Sequence, residues 1–244
     1  MTGGRNGRGA HGGRHRLIVA LDTPDLPEAE ALVARLADVV AHFKVGSALF
    51  TAAGPAAVEM VRRHGGRVFL DLKFHDIPST VTGAVRAAAR LGVGLLTVHA
   101  SGGTAMLRAA AEAARTAGSE RPRIVAVTVL TSLDRAALQR ELGVPIAVEG
   151  HAVHLASLAR EAGCDGVVAS PREAARLRAV LGPAALIVTP GIRLAGGGGD
   201  DQARTATAAM AVQAGADYLV VGRPITAAPD PAAAAAAILA AFPA

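Results

Sequence analysis

The segment Asp71-Leu-Lys-Phe-His-Asp-Ile-Pro78 gathers more ionisable chemistry than any other stretch of the chain. Side chains two apart on a strand share a face, so Asp71 and Lys73 point the same way, roughly 6.6–6.8 Å apart along the backbone. An acid and a base on an otherwise apolar strand are expensive to bury unless they pair. Lys44, near the end of His42-Phe-Lys-Val-Gly-Ser47, can reach Asp71, and Asp76 follows in the loop after the Asp71 strand. Lys44, Asp71, Lys73 and Asp76 thus form an alternating set of two cations and two anions. A Schiff-base lysine needs a lowered pKa, whereas carboxylate neighbours favour the ammonium form. A lysine so placed suits proton donation and stabilisation of a developing anion. Two other readings stand beside this one. The four charges could be an ion-pair network that holds strands together. Asp71, His75 and Asp76 could offer hard oxygen and imidazole ligands to a cation, against the repulsion of two ammonium groups.

The use of lysine sharpens the reading. Of 25 Lys and Arg residues, only Lys44 and Lys73 are lysine. Guanidinium is effectively always charged, while an ammonium can give up a proton. The only two lysines therefore sit together where proton transfer would be needed.

A second cluster lies in the C-terminal third. Thr189-Pro-Gly-Ile-Arg193 is followed by the run Gly196–Gly199, then Asp200-Asp201-Gln202, and later by Val221-Gly-Arg223-Pro-Ile. Gly222 would let backbone N–H approach an anion, and Arg223 can hold a phosphate bidentately. The glycine run with Gln202 reads as a lid over a phosphorylated ligand, and the Asp pair as the cap of the next helix. Thr131 and Ser132 can hydrogen-bond a neutral polar edge. His99 reads as a hydrogen-bonded rim histidine. His151 and His154, three apart on a helix, read as a solvated pair without a carboxylate to make a metal site. No metal ligand set is assigned.

The elements that must position these groups alternate regularly. Apolar runs suited to strands cover 17–22, 42–47, 67–73, 94–100, 123–130, 166–170, 185–190 and 218–223; amphipathic helical stretches cover 26–40, 55–64, 79–91, 104–117, 147–162, 172–181, 200–214 and 231–242. Continuous apolar strands separated by helices imply a parallel sheet covered on its outer face. Eight units match an α/β fold of one (β/α)₈ barrel, the TIM barrel, better than an open sheet. Leu21-Asp22-Thr-Pro-Asp25 lacks the glycines of a dinucleotide fingerprint. Asp22, Lys44, Asp71, Lys73, His99, Thr131, Ser170, Arg193 and Arg223 all fall at or just beyond the C-terminal ends of these strands, the edge where barrels keep their active sites.

The chain has 244 residues, 51% of them hydrophobic and 18% charged, enough for one large core. Its net charge is +5, but Arg5, Arg8, Arg14 and Arg16 supply four of those charges. Residues 1–16 read as a disordered Gly/Arg/His-rich tail, and 17–244 as the barrel domain. With 2% aromatic residues and no Trp, the body offers no basic stripe and no stacking platform for nucleic acid. No apolar run is long enough to cross a membrane, and no apolar segment precedes Arg16 as a secretory signal would require. The lone Cys164 cannot form an internal disulfide. The expected location is the cytoplasm.

These motifs resemble the bacterial-type orotidine 5′-phosphate decarboxylase family: Asp22, the Lys44 segment, Asp71-x-Lys73-x-x-Asp76-Ile-Pro, Thr97-Val-His-Ala, Leu130-Thr-Ser, Pro190-Gly-Ile-Arg193, Asp201-Gln202 and Val221-Gly-Arg223-Pro-Ile-Thr, in that order over about 17–242. The resemblance implies cofactor-free decarboxylation of orotidine 5′-phosphate to UMP and CO₂ in pyrimidine synthesis. It implies Lys73 as proton donor, with Lys44, Asp71 and Asp76 completing the charged tetrad. Asp22 and Lys44 would hold the ribose, Thr131 and Ser132 the pyrimidine, and Arg193, Gln202, Gly222 and Arg223 the phosphate side, with Pro190 among the substrate-binding residues. It also implies a homodimer with sites at the interface, Asp76 acting in the partner's site. Two further readings remain open: a sister barrel enzyme for hexulose or ketogulonate phosphate, which shares D-x-K-x-x-D and normally uses Mg²⁺, and a non-catalytic phosphosugar-binding protein.

Overall fold

Strand β1 (Leu17–Leu21) is apolar and buried at every position, as a strand covered on both faces must be. The computed structural model describes residues 13–193 and 206–242, with Arg193 described by its backbone alone. After β1 come α1 (Leu26–Leu36), β2 (His42–Gly46), α2 (Ser47–Ala53), α3 (Pro55–Arg63), β3 (Arg67–Phe74), α4 (Pro78–Arg90), β4 (Leu95–His99), a 3₁₀ turn (Ala100–Gly102) and α5 (Gly103–Arg115). The second half runs β5 (Arg123–Val127), α6 (Arg135–Arg140), α7 (Val148–Glu161), β6 (Gly166–Val168), α8 (Ala174–Leu181), β7 (Leu186–Thr189), β8 (Ile192–Arg193), β9 (Ala206–Thr207), α9 (Ala208–Gln213), β10 (Tyr218–Val221), α10 (Arg223–Thr226) and α11 (Pro231–Leu239).

Eight parallel strands close in the order β1-β10-β7-β6-β5-β4-β3-β2, the TIM barrel expected from the sequence. Strand alternation divides the core in two. Ile18, Phe69, Leu95, Val125 and Val188 fill the barrel, while Leu17, Val19 and Leu21 face the helices with the larger outer cluster. At β6 the barrel wall is tight. A Cβ on Gly166 would lie 2.2 Å from the Leu186 carbonyl oxygen, so no other residue fits there. Some helices begin where a side chain accepts the first free N–H groups: Asp25 takes Glu28 N–H at 2.8 Å and Asp230 takes those of Ala232 and Ala233.

The N-terminal ends of the strands also carry charge, but there it is spent on backbone. Arg121 forks onto Asp165, at 2.8 and 2.6 Å, and Asp165 accepts the Ile124 N–H. Arg178 bonds Asp217 and the carbonyls of Gly182, Ala185 and Gly215, while Asp217 accepts the Ile187 N–H. These clamps join neighbouring strands of the barrel.

Several boundaries differ from the sequence expectation. The tail was expected to run to Arg16, but Gly13–Arg16 form a turn fastened to the barrel. Arg14 donates to the Ala37 carbonyl, Arg16 donates to the carbonyls of Asp217 (3.0 Å) and Ala216 (2.8 Å), and its guanidinium stacks 4.5 Å from the Phe242 ring. Arginine lets a glycine-rich segment dock without apolar side chains, because its planar fork satisfies strand-end carbonyls. The remainder of the expected tail, residues 1–12, lies outside the described residues. The strand expected to reach Leu130 ends at Val127, after which the Thr128 hydroxyl bonds the Val168 carbonyl. Of the helix expected over 200–214, only α9 is described; Thr207, not the Asp pair, caps it. The expected lid at 194–201, with Asp200, Asp201 and Gln202, lies outside the described residues.

Candidate active site

Lys44 is the junction of the site. It occupies an interior position of β2, its side chain only 12% exposed, and its Nζ lies 2.8 Å from Asp22 Oδ1 and 3.5 Å from Asp71 Oδ2. Asp22 continues the inward parity of β1 and is open to solvent. Burial pulls Lys44 towards its neutral form, but the charges of Asp71 and Asp22 outweigh this and hold it above the ordinary lysine range. Burial pushes Asp71 up, yet Lys44 and Lys73, with hydrogen bonds from Lys73 and Thr97, hold it below the usual carboxylate range. Lys73 Nζ lies 2.8 Å from Asp71 Oδ2. Asp22, Lys44, Asp71 and Lys73 therefore form one chain of alternating charge.

The expected simple alternation of Asp71 and Lys73 is corrected by a bulge. Strands β3 and β4 pair at Leu70↔Leu96 and next at Phe74↔Val98, so β3 spends two more residues than its partner over that span. Lys73 has φ of +50°, the sole left-handed non-glycine residue among those described. Its N–H, displaced from the ladder, donates to Thr97 Oγ1 at 2.8 Å, and that hydroxyl donates to Asp71 Oδ1 at 3.1 Å. Thr97 stood in the sequence only as part of the Thr97-Val-His-Ala motif, with no role assigned to it. Its signal is its place on β4, two residues before His99 and on the inward-facing parity.

Asp22, Lys44, Asp71, Lys73, Thr131 and Pro190 line a single cavity of about 220 Å³ at the C-terminal ends of the strands. Phe69, Val127, Val168 and Val220 supply an apolar wall to it. Gly46 leaves space for the charged junction: a Cβ there would sit 2.9 Å from Lys44 Nζ. Gly222 abuts Asp22, a Cβ there meeting Oδ2 at 3.4 Å, and the exposed Arg223 follows as the first residue of α10. The Arg193 backbone pairs in β8 with Thr207, which brings β9 beside the segment after Pro190. The Arg193 side chain and Gln202 lie outside the described residues.

Three expected site residues stand apart. Asp76 is exposed and ion-pairs with no described cation; its carboxylate accepts the Ile77 N–H at 2.6 Å. It makes no ion pair with Lys73, so among the described residues of one chain the ion-paired set ends at Lys73. Ser132 is exposed and lies outside the cavity lining, because the chain turns outward after Thr131. Ser170, expected at the rim, is fully buried; its N–H donates to Glu173 and its hydroxyl accepts the Arg172 N–H, which makes it part of a turn. His99 sits at the rim with its ring 5.4 Å from that of His75. Burial, then His75 and Lys73, hold it below the ordinary imidazole range. His151 and His154 stack on α7, 6.4 Å apart. Among the described residues, no group of three His, Cys, Asp or Glu side chains is arranged to hold a metal ion.

Residues 15–238 match the model of the orotidine 5′-phosphate decarboxylase / HUMPS family. The chain is 60% identical over 231 residues to the orotidine 5′-phosphate decarboxylase of Moorella thermoacetica, covering 93% of this chain and 92% of that protein. It is 53% identical to the same enzyme of Pelobacter propionicus, over 89% of this chain and 91% of that one. Among solved structures, the orotidine 5′-phosphate decarboxylase of Lactobacillus acidophilus superposes with a TM-score of 0.83 at 37% identity, covering 94% of this chain and all of the other. An alternating charge chain at the mouth of a closed parallel barrel thus coincides with full-length similarity, and the chain belongs to the orotidine 5′-phosphate decarboxylase / HUMPS family.

Proposed function

We propose that this protein decarboxylates orotidine 5′-phosphate to UMP and CO₂ in pyrimidine biosynthesis. The observation that carries the proposal is the Lys73–Asp71–Lys44–Asp22 chain lining one side of a cavity whose other wall is apolar and suited to a planar ring. Losing CO₂ from the pyrimidine leaves an electron pair on ring carbon C6, in an orbital that the ring cannot delocalise. Lys73 is the group that answers this. Its ammonium stabilises the developing carbanion and then transfers a proton from Nζ to C6, later regaining one from solvent. Asp71 stands beside the departing carboxylate, and the repulsion between the two anions is relieved as CO₂ leaves. Its second oxygen keeps Lys73 aimed.

Binding divides along the rim. Asp22 and Lys44 take the ribose hydroxyls and Thr131 a polar edge of the pyrimidine. Pro190, Gly222 and Arg223, with Arg193 and Gln202, take the phosphate side. Gly222 lying so near Asp22 that a Cβ on it would meet Oδ2 at 3.4 Å supports this order, since it makes the ribose and phosphate ends continuous. Phosphate binding far from C6 contributes to catalysis as remote binding energy. Asp76 acts across a homodimer, in the partner's site; its exposure without an ion pair among the described residues and the 64% exposure of the adjacent Ile77 support that reading.

Loss of orotidylate absorbance with purified protein in EDTA tests the proposal. Turnover that persists with EDTA supports a decarboxylase. Inertness towards orotidylate together with Mg²⁺-dependent turnover of a hexulose or ketogulonate phosphate would assign the chain to the other branch of the family. Mixing Asp76→Asn with Lys73→Ala protein tests the shared site. Random subunit exchange should restore about a quarter of wild-type sites, and activity that stays flat after confirmed exchange refutes it.

A further inference from the structure

We infer that Thr97 is a positioning residue for catalysis: its one hydroxyl holds the Lys73 backbone in its left-handed turn and aims the Asp71 carboxylate. The inference rests on the assignment of Asp71 and Lys73 to the reaction. Thr97 is fully buried on β4 and does not line the cavity, so it acts through its two partners alone. A buried hydroxyl is unfavourable beside an apolar residue of the same shape unless its bonds are made. Here both are. A hydroxyl has one proton and two lone pairs. The proton goes to Asp71 Oδ1 at 3.1 Å and a lone pair receives the Lys73 N–H at 2.8 Å.

The bulge explains why such a group is needed. Between Leu70↔Leu96 and Phe74↔Val98, β3 leaves the ladder, and the Lys73 N–H loses a regular β4 carbonyl. An unsatisfied backbone donor in a part-buried site is unfavourable, and so is a left-handed β3 residue that is not glycine. The Thr97 hydroxyl meets the first demand and so stabilises the second. The turned backbone brings Lys73 Nζ to within 2.8 Å of Asp71 Oδ2. The Asp71 carboxylate is thereby fixed at both oxygens: Thr97 on Oδ1, Lys73 on Oδ2 with Lys44 3.5 Å away. A group that must deliver a proton to one carbon loses rate quickly when it is misplaced.

The experiment replaces Thr97 with Val, Ser and Cys. Thr97→Val removes both bonds at nearly constant shape, and kcat should fall roughly 10- to 100-fold, as expected for losing a hydrogen bond to a charged group. The UMP dissociation constant should stay within about threefold, because Thr97 touches no ligand. The acid limb of the pH–rate profile should move to higher pH, since Asp71 loses a bond that favours its carboxylate. Thr97→Ser, which keeps the hydroxyl, should recover kcat to within about fivefold. Thr97→Cys, a weaker hydrogen-bonding group, should fall between and serves if the Val variant does not fold. Amide hydrogen exchange at Lys73, measured without substrate, should accelerate in the Val or Cys protein and not in the Ser protein. Unchanged kcat in folded Thr97→Val or Thr97→Cys protein, or unchanged Lys73 exchange, overturns the inference. A wild-type protein inert towards orotidylate refutes the decarboxylase assignment instead, while the exchange measurement still decides whether Thr97 holds Lys73.

Discussion

Acidification should destabilise this protein through one histidine at the closed end of the barrel. His42 opens β2 facing inward, 5% exposed, its ring 5.5 Å from that of Tyr218 and 6.2 Å from that of His15. Its Nε2 has no hydrogen-bond partner. Burial, then the charge of Arg67 and then His15, push its pKa from 6.5 down to about 4. The folded state therefore holds neutral imidazole where the unfolded chain would bind a proton. Stability is untouched above about pH 6.5 and declines as the pH falls towards 4, because only the unfolded state gains protons in that window. Between pH 8 and pH 5 this linkage amounts to about 2 kcal/mol, rising to about 3 kcal/mol below pH 4. For a chain of this size it corresponds to roughly 4–8 °C in melting temperature. Urea denaturation of wild type and His42→Phe at one protein concentration, at pH 8 and pH 5, isolates the effect. Carboxylates such as Asp71 contribute to both proteins alike, so the difference between the two pH slopes belongs to His42. Parallel slopes would refute the argument that a neutral, buried His42 sets this pH dependence.

Lys73→Ala should abolish decarboxylation while leaving UMP affinity within about tenfold, and Lys73→Arg should fail as well, because guanidinium keeps the charge but does not release a proton; turnover and calorimetry read both. Arg223→Ala should lower kcat/KM by on the order of 2–4 kcal/mol through loss of phosphate binding, and an unchanged value would remove Arg223 from the phosphate site. Gly46→Ala should leave the fold intact, since its φ of −94° and ψ of −177° suit any residue, yet crowd Lys44 Nζ; kcat/KM should drop on the order of 10- to 100-fold with little change in melting temperature. Cys164, half-buried on the way into β6 with its thiol pushed by burial up to about 12, should resist alkylation by iodoacetamide at pH 8 in the native protein and react once unfolded.

The alternation of the eight barrel strands with their main helices, the barrel, and the placing of Asp22, Lys44, Asp71, Lys73, Thr131 and Pro190 around one cavity were legible in the chain, whereas α2, α6, α10 and the β8–β9 pair were not. Strand and helix periods are local properties, and a residue at the C-terminal end of a barrel strand has few other places to point. The two lysines could be singled out by composition alone. What tertiary structure decided involves partners far apart in sequence. The Lys73 N–H that the bulge displaces from the ladder finds its acceptor in Thr97, 24 residues on. Gly13–Arg16 join the barrel because Arg16 reaches the Asp217 carbonyl, 201 residues away. Arg121 and Arg178 look like any other arginines until closure of the barrel places the acids and carbonyls of neighbouring strands within their reach. Asp76 belongs by its spacing to the charged set, yet it is exposed and its carboxylate accepts the Ile77 N–H with no cation paired to it among the described residues. Side-chain pairing across a closed barrel depends on strand register and on departures from it, and neither is written in the period of the residues that carry the chemistry.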